Sequence, residues 1–440
     1  MDALIIGVIL VVSFFALLTI GLPIAFAMGG LSALGVLLLM GPEALKFGVF
    51  STWSTMSSFI LVAIPLFIFM ANILGASGIA DDLYRAIARW SSGIRGGLAA
   101  GTVVICMLFA AMVGVIGAAI VTMALVALPE MLKRKYDKHL VCGGIAAGGA
   151  LGVLIPPSVQ MILYALVVGE SVGRMFAGGM FPGILLGSLY MAYILIRSYL
   201  QPHLAPVSPA DQGVTWKERF VSLRNVIIPV LIVVLVLGSI FGGFATPTEA
   251  AGVGAFSAII FAVVNRKLNW EGLKTASYNT AFVSGMVGWL LVGVGAFDQF
   301  LSAAGILDKL VSAVASLSVN RWLVIIIMQL SLFVLGAFLD DYAIIILVAP
   351  IYVPIVETLG FNPLWFGILF IVNMQMAVLT PPYGFALFYL RSVVPSGITM
   401  GDLYRSTPPF IALQAIGLIT IMIFPQIALW LPKVIFPLIG

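Results

Sequence analysis

Charge is scarce in this chain. Only 9% of its 440 residues are charged, 21 basic and 17 acidic, while 62% are hydrophobic and the mean hydropathy is +1.20. A water-soluble domain carries about 25% charged residues, so that class is excluded and the bilayer is the solvent in which the chain folds. Cysteine and histidine are scarcer still, with two of each. Cys106 and Cys142 lie in apolar stretches without metal-ligand or pairing spacing and read as small buried hydrophobes. His139 and His203 fall in predicted loops with no ligand spacing and no adjacent nucleophile, which gives a membrane-embedded hydrolase or metalloenzyme little to work with. No GxxxxGK[ST] loop occurs, so the chain does not hydrolyse ATP itself. We expect no enzyme, no catalytic residue and no organic cofactor. The net charge of +4 sits in short loops between apolar segments, as membrane topology requires, so lipid and not nucleic acid is the surrounding partner.

What is abundant is repeated. Leu154-Ile155-Pro156-Pro157 returns as Leu379-Thr380-Pro381-Pro382, 225 residues later. Ser77-Gly78-Ile79-Ala80-Asp81-Asp82-Leu83 answers to Ala304-Gly305-Ile306-Leu307-Asp308-Lys309-Leu310, and Pro23 with Gly30 to Pro247 with Gly254, at nearly the same offset. The spacing therefore predicts two related halves. Spans of about 20 residues allow on the order of a dozen crossings or re-entrant segments. The first apolar segment, after Met1-Asp2, lacks the basic region of a cleaved signal peptide and reads as a span that stays. We divide the chain at its one long hydrophilic piece: residues 1–200 as the first repeat, 201–224 as a cytoplasmic linker containing Pro202, Pro206 and Pro209, and 225–440 as the second repeat.

Basic residues set the orientation, because short loops rich in Lys and Arg stay in the cytoplasm. Arg85, Arg89 and Arg95 precede the apolar stretch 97–132, and Lys133, Arg134, Lys135 and Lys138 follow it. The chain thus enters and leaves on one side, as a re-entrant helical hairpin or, alternatively, as two full spans; we favour the hairpin. The matching loop of the second half, from Glu357 to Pro363, holds no cation and should face the opposite side. The halves are then inverted repeats, each with a hairpin (97–132, 322–356) followed by a Pro-Pro-broken helix (140–167, 364–394). Broken helices at corresponding positions point to a binding site at the bilayer midplane.

A broken helix aims free carbonyls and free N–H groups into one spot, where the former suit a hard cation and the latter an anion. The candidate groups are the backbone around Gly152, Ile155 and Pro156, that around Ala377, Thr380 and Pro381, and the hydroxyls of Ser158 and Thr380. Packing alone is the competing reading of each Pro-Pro pair. Val113 and Gly114 mark the first hairpin tip, and Asp340-Asp341 the second, where an intramembrane acid points either to function or to a helix cap. Thr246-Pro247-Thr248-Glu249 reads as a capping box, Asn362-Pro363 as a second helix start, and Gly143-Gly144 and Gly148-Gly149 as sites of close helix packing.

Thr246-Pro247-Thr248-Glu249-Ala250-Ala251, Leu154-Ile155-Pro156-Pro157-Ser158, Leu379-Thr380-Pro381-Pro382 and Ile64-Pro65-Leu66-Phe67 resemble signatures of the large membrane subunit of tripartite ATP-independent periplasmic (TRAP) transporters, over nearly the whole chain. That resemblance implies a bacterial or archaeal cytoplasmic-membrane importer of organic acids, driven by a sodium gradient, with an elevator-like core in a scaffold. Its partners would be a small four-span membrane subunit (the Q subunit) and a periplasmic substrate-binding protein (the P subunit). The family's sodium sites map onto Gly152, Ile155 and Pro156 and, by the repeat, onto Ala377, Thr380 and Pro381; no other metal is implied. One departure stands out: where many members carry Ser-Gly-Ser-Ser at the first hairpin tip, this chain has Val113-Gly114-Val115-Ile116, which removes hydroxyl ligands. A self-sufficient sodium/dicarboxylate symporter or antiporter is the alternative function, and a membrane-embedded enzyme a more distant one.

Overall fold

The computed structural model describes residues 3–114, 116–206, 215–316 and 319–437; Met1, Asp2, Val115 and the middle of the expected linker, 207–214, lie outside the described residues. All regular structure among the described residues is helical. The first half runs α1 (Ala3–Thr19), α2 (Ile24–Met40), α3 (Leu45–Met56), α4 (Ala63–Ala76), α5 (Ile79–Trp90), α6 (Gly97–Val113), α7 (Ile116–Lys133), α8 (Lys138–Ala150), α9 (Val159–Val168) and α10 (Val172–Leu200). The second runs α11 (Trp216–Phe241), α12 (Pro247–Val264), α13 (Trp270–Ala303), α14 (Ile306–Ser316), α15 (Arg321–Gly336), α16 (Asp341–Thr358), α17 (Pro363–Ala377), α18 (Phe385–Arg391), α19 (Met400–Ser406), α20 (Pro408–Ile423) and α21 (Gln426–Ile435). Seven helical segments among the described residues are long and apolar enough to cross a membrane, or eight if α11 is counted as one bent span. The rest of the apolar sequence lies in shorter helices, because tips and breaks cut it into half-spans.

Helix starts follow the local chemistry. Thr246 Oγ1 accepts the Glu249 N–H at 3.3 Å while Glu249 Oε2 accepts the Thr246 N–H at 2.8 Å, the reciprocal box expected from the sequence. Asn362 Oδ1 accepts the Trp365 N–H at 3.0 Å and Pro363 fills the first turn of α17. Thr215 and Glu218 form another such box, so residues 216–224, expected in the linker, are the first turns of α11. His139, expected in a loop, is the second residue of α8, where Asp137 caps the helix and its side chain accepts the N–H groups of His139 and Leu140. Cys106 and Cys142 are free and buried. Gly148 faces Cys106 on α6 and Gly149 faces Ile120 on α7 so closely that a β-carbon would clash, which lets α8 sit against both arms of the first hairpin.

The two halves interlock instead of standing side by side. In the outer layer α1 packs on α14 and α11 on α5; α2 packs on α13 and α12 on α4. In the inner layer α7 packs on α18 and α16 on α9. Every pair joins one half to the other, and each has its counterpart with the halves exchanged, as two repeats related by one pseudo-two-fold axis require. The second-half Thr248 hydroxyl donates to the first-half carbonyl of Phe59 at 3.2 Å, and Asn72 donates to the Thr280 hydroxyl at 3.3 Å. Such bonds between helices in lipid contribute about 0.6 kcal/mol each, so packed area and not polar contact holds the halves together.

Candidate functional site

Proline chemistry opens each broken helix at a definite carbonyl. Pro156 and Pro157 carry no N–H, so the carbonyls four residues earlier, Gly152 and Val153, lose their helical donors. Ser158 Oγ takes up one of them by donating to Val153 O at 2.6 Å, while also accepting the Met161 N–H at 3.3 Å as the cap of α9. Leu151 O accepts from both Leu154 and Ile155. The Gly152 carbonyl is left without its helical partner, in a segment buried from 151 to 160. In the second half Pro381 and Pro382 strip the donors from Ala377 and Val378, but Thr380 N–H donates to Ala377 O at 2.9 Å and Ala386 N–H to Val378 O at 3.1 Å. Thr380 Oγ1 donates to Met376 O at 2.9 Å, which leaves its lone pairs free to accept or coordinate. Both Pro-Pro peptide bonds are cis.

The hairpin tips close on these breaks. The first hairpin turns at Gly114, whose φ of +59° is open to glycine at little cost. A β-carbon there would lie 2.6 Å from the Pro157 carbonyl oxygen. Because the tip meets the break and not the far end of α9, the hairpin reaches only part of the way along the broken helix, which is the geometry of a re-entrant segment. Val113 beside it is buried. The second hairpin turns between α15 and α16. Asp340 Oδ2 accepts the Tyr342 N–H at 3.2 Å, so the capping reading holds for Asp340. Asp341 shares that N–H through Oδ1 at 3.1 Å and reaches across the repeats with the other oxygen: its Oδ2 accepts the side-chain amide of Gln160 at 3.0 Å, and both residues are buried. No lysine or arginine pairs with either carboxylate among the described residues.

The structure thus brings Gly114, Ser158, Pro156 and Asp341 into one region, the last through Gln160. Tyr389 on α18 borders the region too, since Gly117 of the first hairpin lies against its ring. Ala377 packs against Gly336 at the end of α15, on the second break. Gln160 and Tyr389 did not emerge from the sequence. The signal for Gln160 was available, as a polar residue inside an apolar stretch just after Pro-Pro-Ser, the same criterion that singled out the two aspartates.

The two breaks are not equivalent. At the 225-residue offset Asp341 and Gln160 correspond to Ile116 and Phe385, so the polar contact of one half has apolar counterparts in the other. The first break is sealed, whereas Pro381, Pro382 and Tyr383 are exposed, with Tyr383 49% accessible. Tyr404 on α19 donates its hydroxyl to Pro382 O at 2.8 Å at the rim of that opening. A cavity of about 430 Å³ runs beside the first hairpin, from Val113 at the tip past Thr122, to Asn72 on α4 and to Asn269, Glu271 and Asn279 on and before α13. Cavities of about 800 Å³ elsewhere, such as that between α2, α3 and α13, have mainly apolar walls and suit lipid or a neighbouring helix.

For a hard cation the donors fit: the Gly152 carbonyl, which has lost its helical donor, further carbonyls at 155–157, a threonine oxygen at Thr380 and two carboxylates without a basic partner among the described residues are all oxygen. The first tip adds no hydroxyl, and Val115 lies outside the described residues.

Residues 11–427 match the family model described as the DctM component of the tripartite ATP-independent periplasmic transporter. A C4-dicarboxylate TRAP transporter large permease protein, DctM, from Pseudomonas aeruginosa is 32% identical over 92% of this chain and 93% of its own. The isethionate TRAP transporter permease protein DctMQ of Oleidesulfovibrio alaskensis is 30% identical over 95% of this chain and 65% of its own. Among solved structures, the YdaH transporter of Alcanivorax borkumensis superposes with a TM-score of 0.64, covering 92% of this chain and 96% of that one at 14% identity; this likeness concerns the fold alone. The chain belongs to the DctM family: it is the large permease subunit of a TRAP transporter, a multi-pass inner-membrane protein and not an enzyme.

Proposed function

We propose that this permease imports a small organic acid against its gradient by coupling it to sodium, and that it accepts the substrate from a periplasmic binding protein while held by a small membrane subunit. The observation that carries the reading is the meeting of both hairpin tips at the first break: Gly114 against the Pro157 carbonyl, and Asp341 joined to Gln160. Sodium ions would be held by the oxygens around Gly152, Ile155 and Pro156 and around Ala377, Thr380 and Pro381. Bound sodium would supply the positive charge that a carboxylate substrate requires, since no lysine or arginine pairs with Asp340 or Asp341 among the described residues. The N-terminus of the half-helix α9 would add N–H groups for the anion.

Movement would follow an elevator scheme, in which α6–α9 and α15–α18 shift as a core against the outer helices. The sealed first break and the exposed second one support this, because a site open on one side only is what one end of such a stroke presents. The 430 Å³ cavity lies between the first hairpin and the outer helices α4 and α13, where a small acid would pass. Partner subunits are supported by family membership and by the DctMQ relative, of which this chain covers 65%; a fused small subunit would occupy the remainder.

The reading is tested by reconstituting the chain with its small subunit in liposomes and measuring uptake of labelled organic acids. Uptake should require an inward sodium gradient and the binding protein together. Uptake by the permease alone would replace the tripartite reading with an autonomous carrier.

A further inference from the structure

On the face that carries the basic loop 133–138, α8, α10 and α19 enclose a cavity of about 350 Å³, whose polar wall is Asp137, His139, Arg197, Arg405, Ser406 and Tyr193. Two guanidinium groups line this one space without a carboxylate partner among the described residues. Arg197 donates to Gln201 Oε1 at 3.0 Å, and Arg405 forms no ion pair among the described residues. The acids nearby are already engaged. Asp137 accepts two N–H groups at the start of α8, at 3.0 Å each, and Asp402 is bridged to Lys138 at 2.7 Å and to the Thr399 N–H at 2.9 Å. His139 is held through Nδ1, 3.1 Å from Asp402 O. Asp402 is offset by Lys138, and two arginines outweigh the Asp137 carboxylate, so the cavity has an excess of positive charge, with two planar forks of the kind that grip phosphate in bidentate fashion.

What lies beside it decides the source of the phosphate. On α10, Ile196, Tyr199 and Leu200 flank Arg197 and are 59%, 57% and 75% exposed. In a membrane protein such an apolar strip faces acyl chains, and a basic pocket between helices on the cytoplasmic side is where anionic headgroups bind. We propose that Arg197 and Arg405 form a binding site for the phosphate of an anionic phospholipid of the cytoplasmic leaflet, with the acyl chains along Ile196, Tyr199 and Leu200. The residues lie outside the transport site and are exposed, so their replacement leaves the buried core intact.

The test is titration of the intact permease, together with its small subunit, with phosphatidylglycerol, phosphatidylcholine or inorganic phosphate, following bound lipid by native mass spectrometry. Phosphatidylglycerol should bind in preference to phosphatidylcholine. The double variant R197Q/R405Q should weaken that binding about thirtyfold, from about 1 kcal/mol for each cation lost, and Lys274→Gln on the outer layer should leave it unchanged. Arg197→Lys with Arg405→Lys, which keeps charge and loses the fork, should fall between. Equal binding of the two lipids, or equal loss with Lys274→Gln, would overturn the site. Competition by inorganic phosphate as strong as that by the lipid would overturn the lipid assignment.

Discussion

Gln160 donates its side-chain amide to Asp341 Oδ2 over 3.0 Å, across 181 residues of chain, and so ties the second hairpin of one repeat to the broken helix of the other. Asp341→Asn keeps the shape and removes the charge. It should lower uptake about tenfold or more, the equivalent of losing one hydrogen bond to a charged group, while the protein remains folded by size-exclusion and unfolding assays. Uptake equal to the unmodified chain would remove Asp341 from the transport site.

Removing the other partner has a different signature. Gln160→Leu leaves the buried Asp341 Oδ2 without its Gln160 donor, Oδ1 keeping the Tyr342 N–H, and should cost about 1–3 kcal/mol in unfolding free energy. Adding Asp341→Leu to it should restore most of that stability, because both polar groups are then gone, but should not restore uptake. Restored uptake would make the pair a structural contact only.

Gly114→Ala should abolish uptake. Two effects add: strain at φ +59°, which costs about 1 kcal/mol or more, and a clash with the Pro157 carbonyl 2.6 Å away. Gly93→Ala separates them, since Gly93 has a φ of +82° and open space around it. Gly93→Ala should therefore show a modest stability loss and near-normal uptake. If the two variants transported equally well, the contact between hairpin tip and break would carry no function.

Sidedness is checked with single cysteines. Lys133→Cys and Glu357→Cys, both at exposed positions, should react with a membrane-impermeant maleimide from opposite faces of the membrane. Cys106 and Cys142 are buried and should stay silent. Labelling of both from one face would contradict the inverted arrangement.

Much of this was legible before any coordinate. Pro-Pro pairs at matched offsets marked the breaks because a missing N–H has the same consequence in any helix, and Thr246 with Glu249 or Asn362 with Pro363 marked helix starts because capping is local. What escaped was of two kinds. Helix α5 carries Ile79, Ala80, Leu83 and Ala86 on its buried side, but Asp81, Asp82, Arg85 and Arg89 dilute its hydropathy below that of a span; α3 and α14 were passed over likewise, being short and outside the runs of unbroken apolar sequence. The second kind is pairing at long range. Nothing in the sequence near Gln160 says that Asp341 is its partner, and nothing near Pro381 says that this break is exposed while Pro156 is sealed, because both facts come from how the halves cross.

The central claim is that oxygens at the two breaks hold the coupling cation. It is tested most directly by equilibrium binding of radioactive sodium to the purified permease with its small subunit, comparing the unmodified chain with Thr380→Val and Thr380→Ser. Saturable binding, weakened about tenfold by Thr380→Val through loss of a ligand oxygen and its hydrogen bond and recovered in Thr380→Ser, is the expected result. The claim would be contradicted by the absence of saturable sodium binding, or by binding to Thr380→Val indistinguishable from that of the unmodified chain.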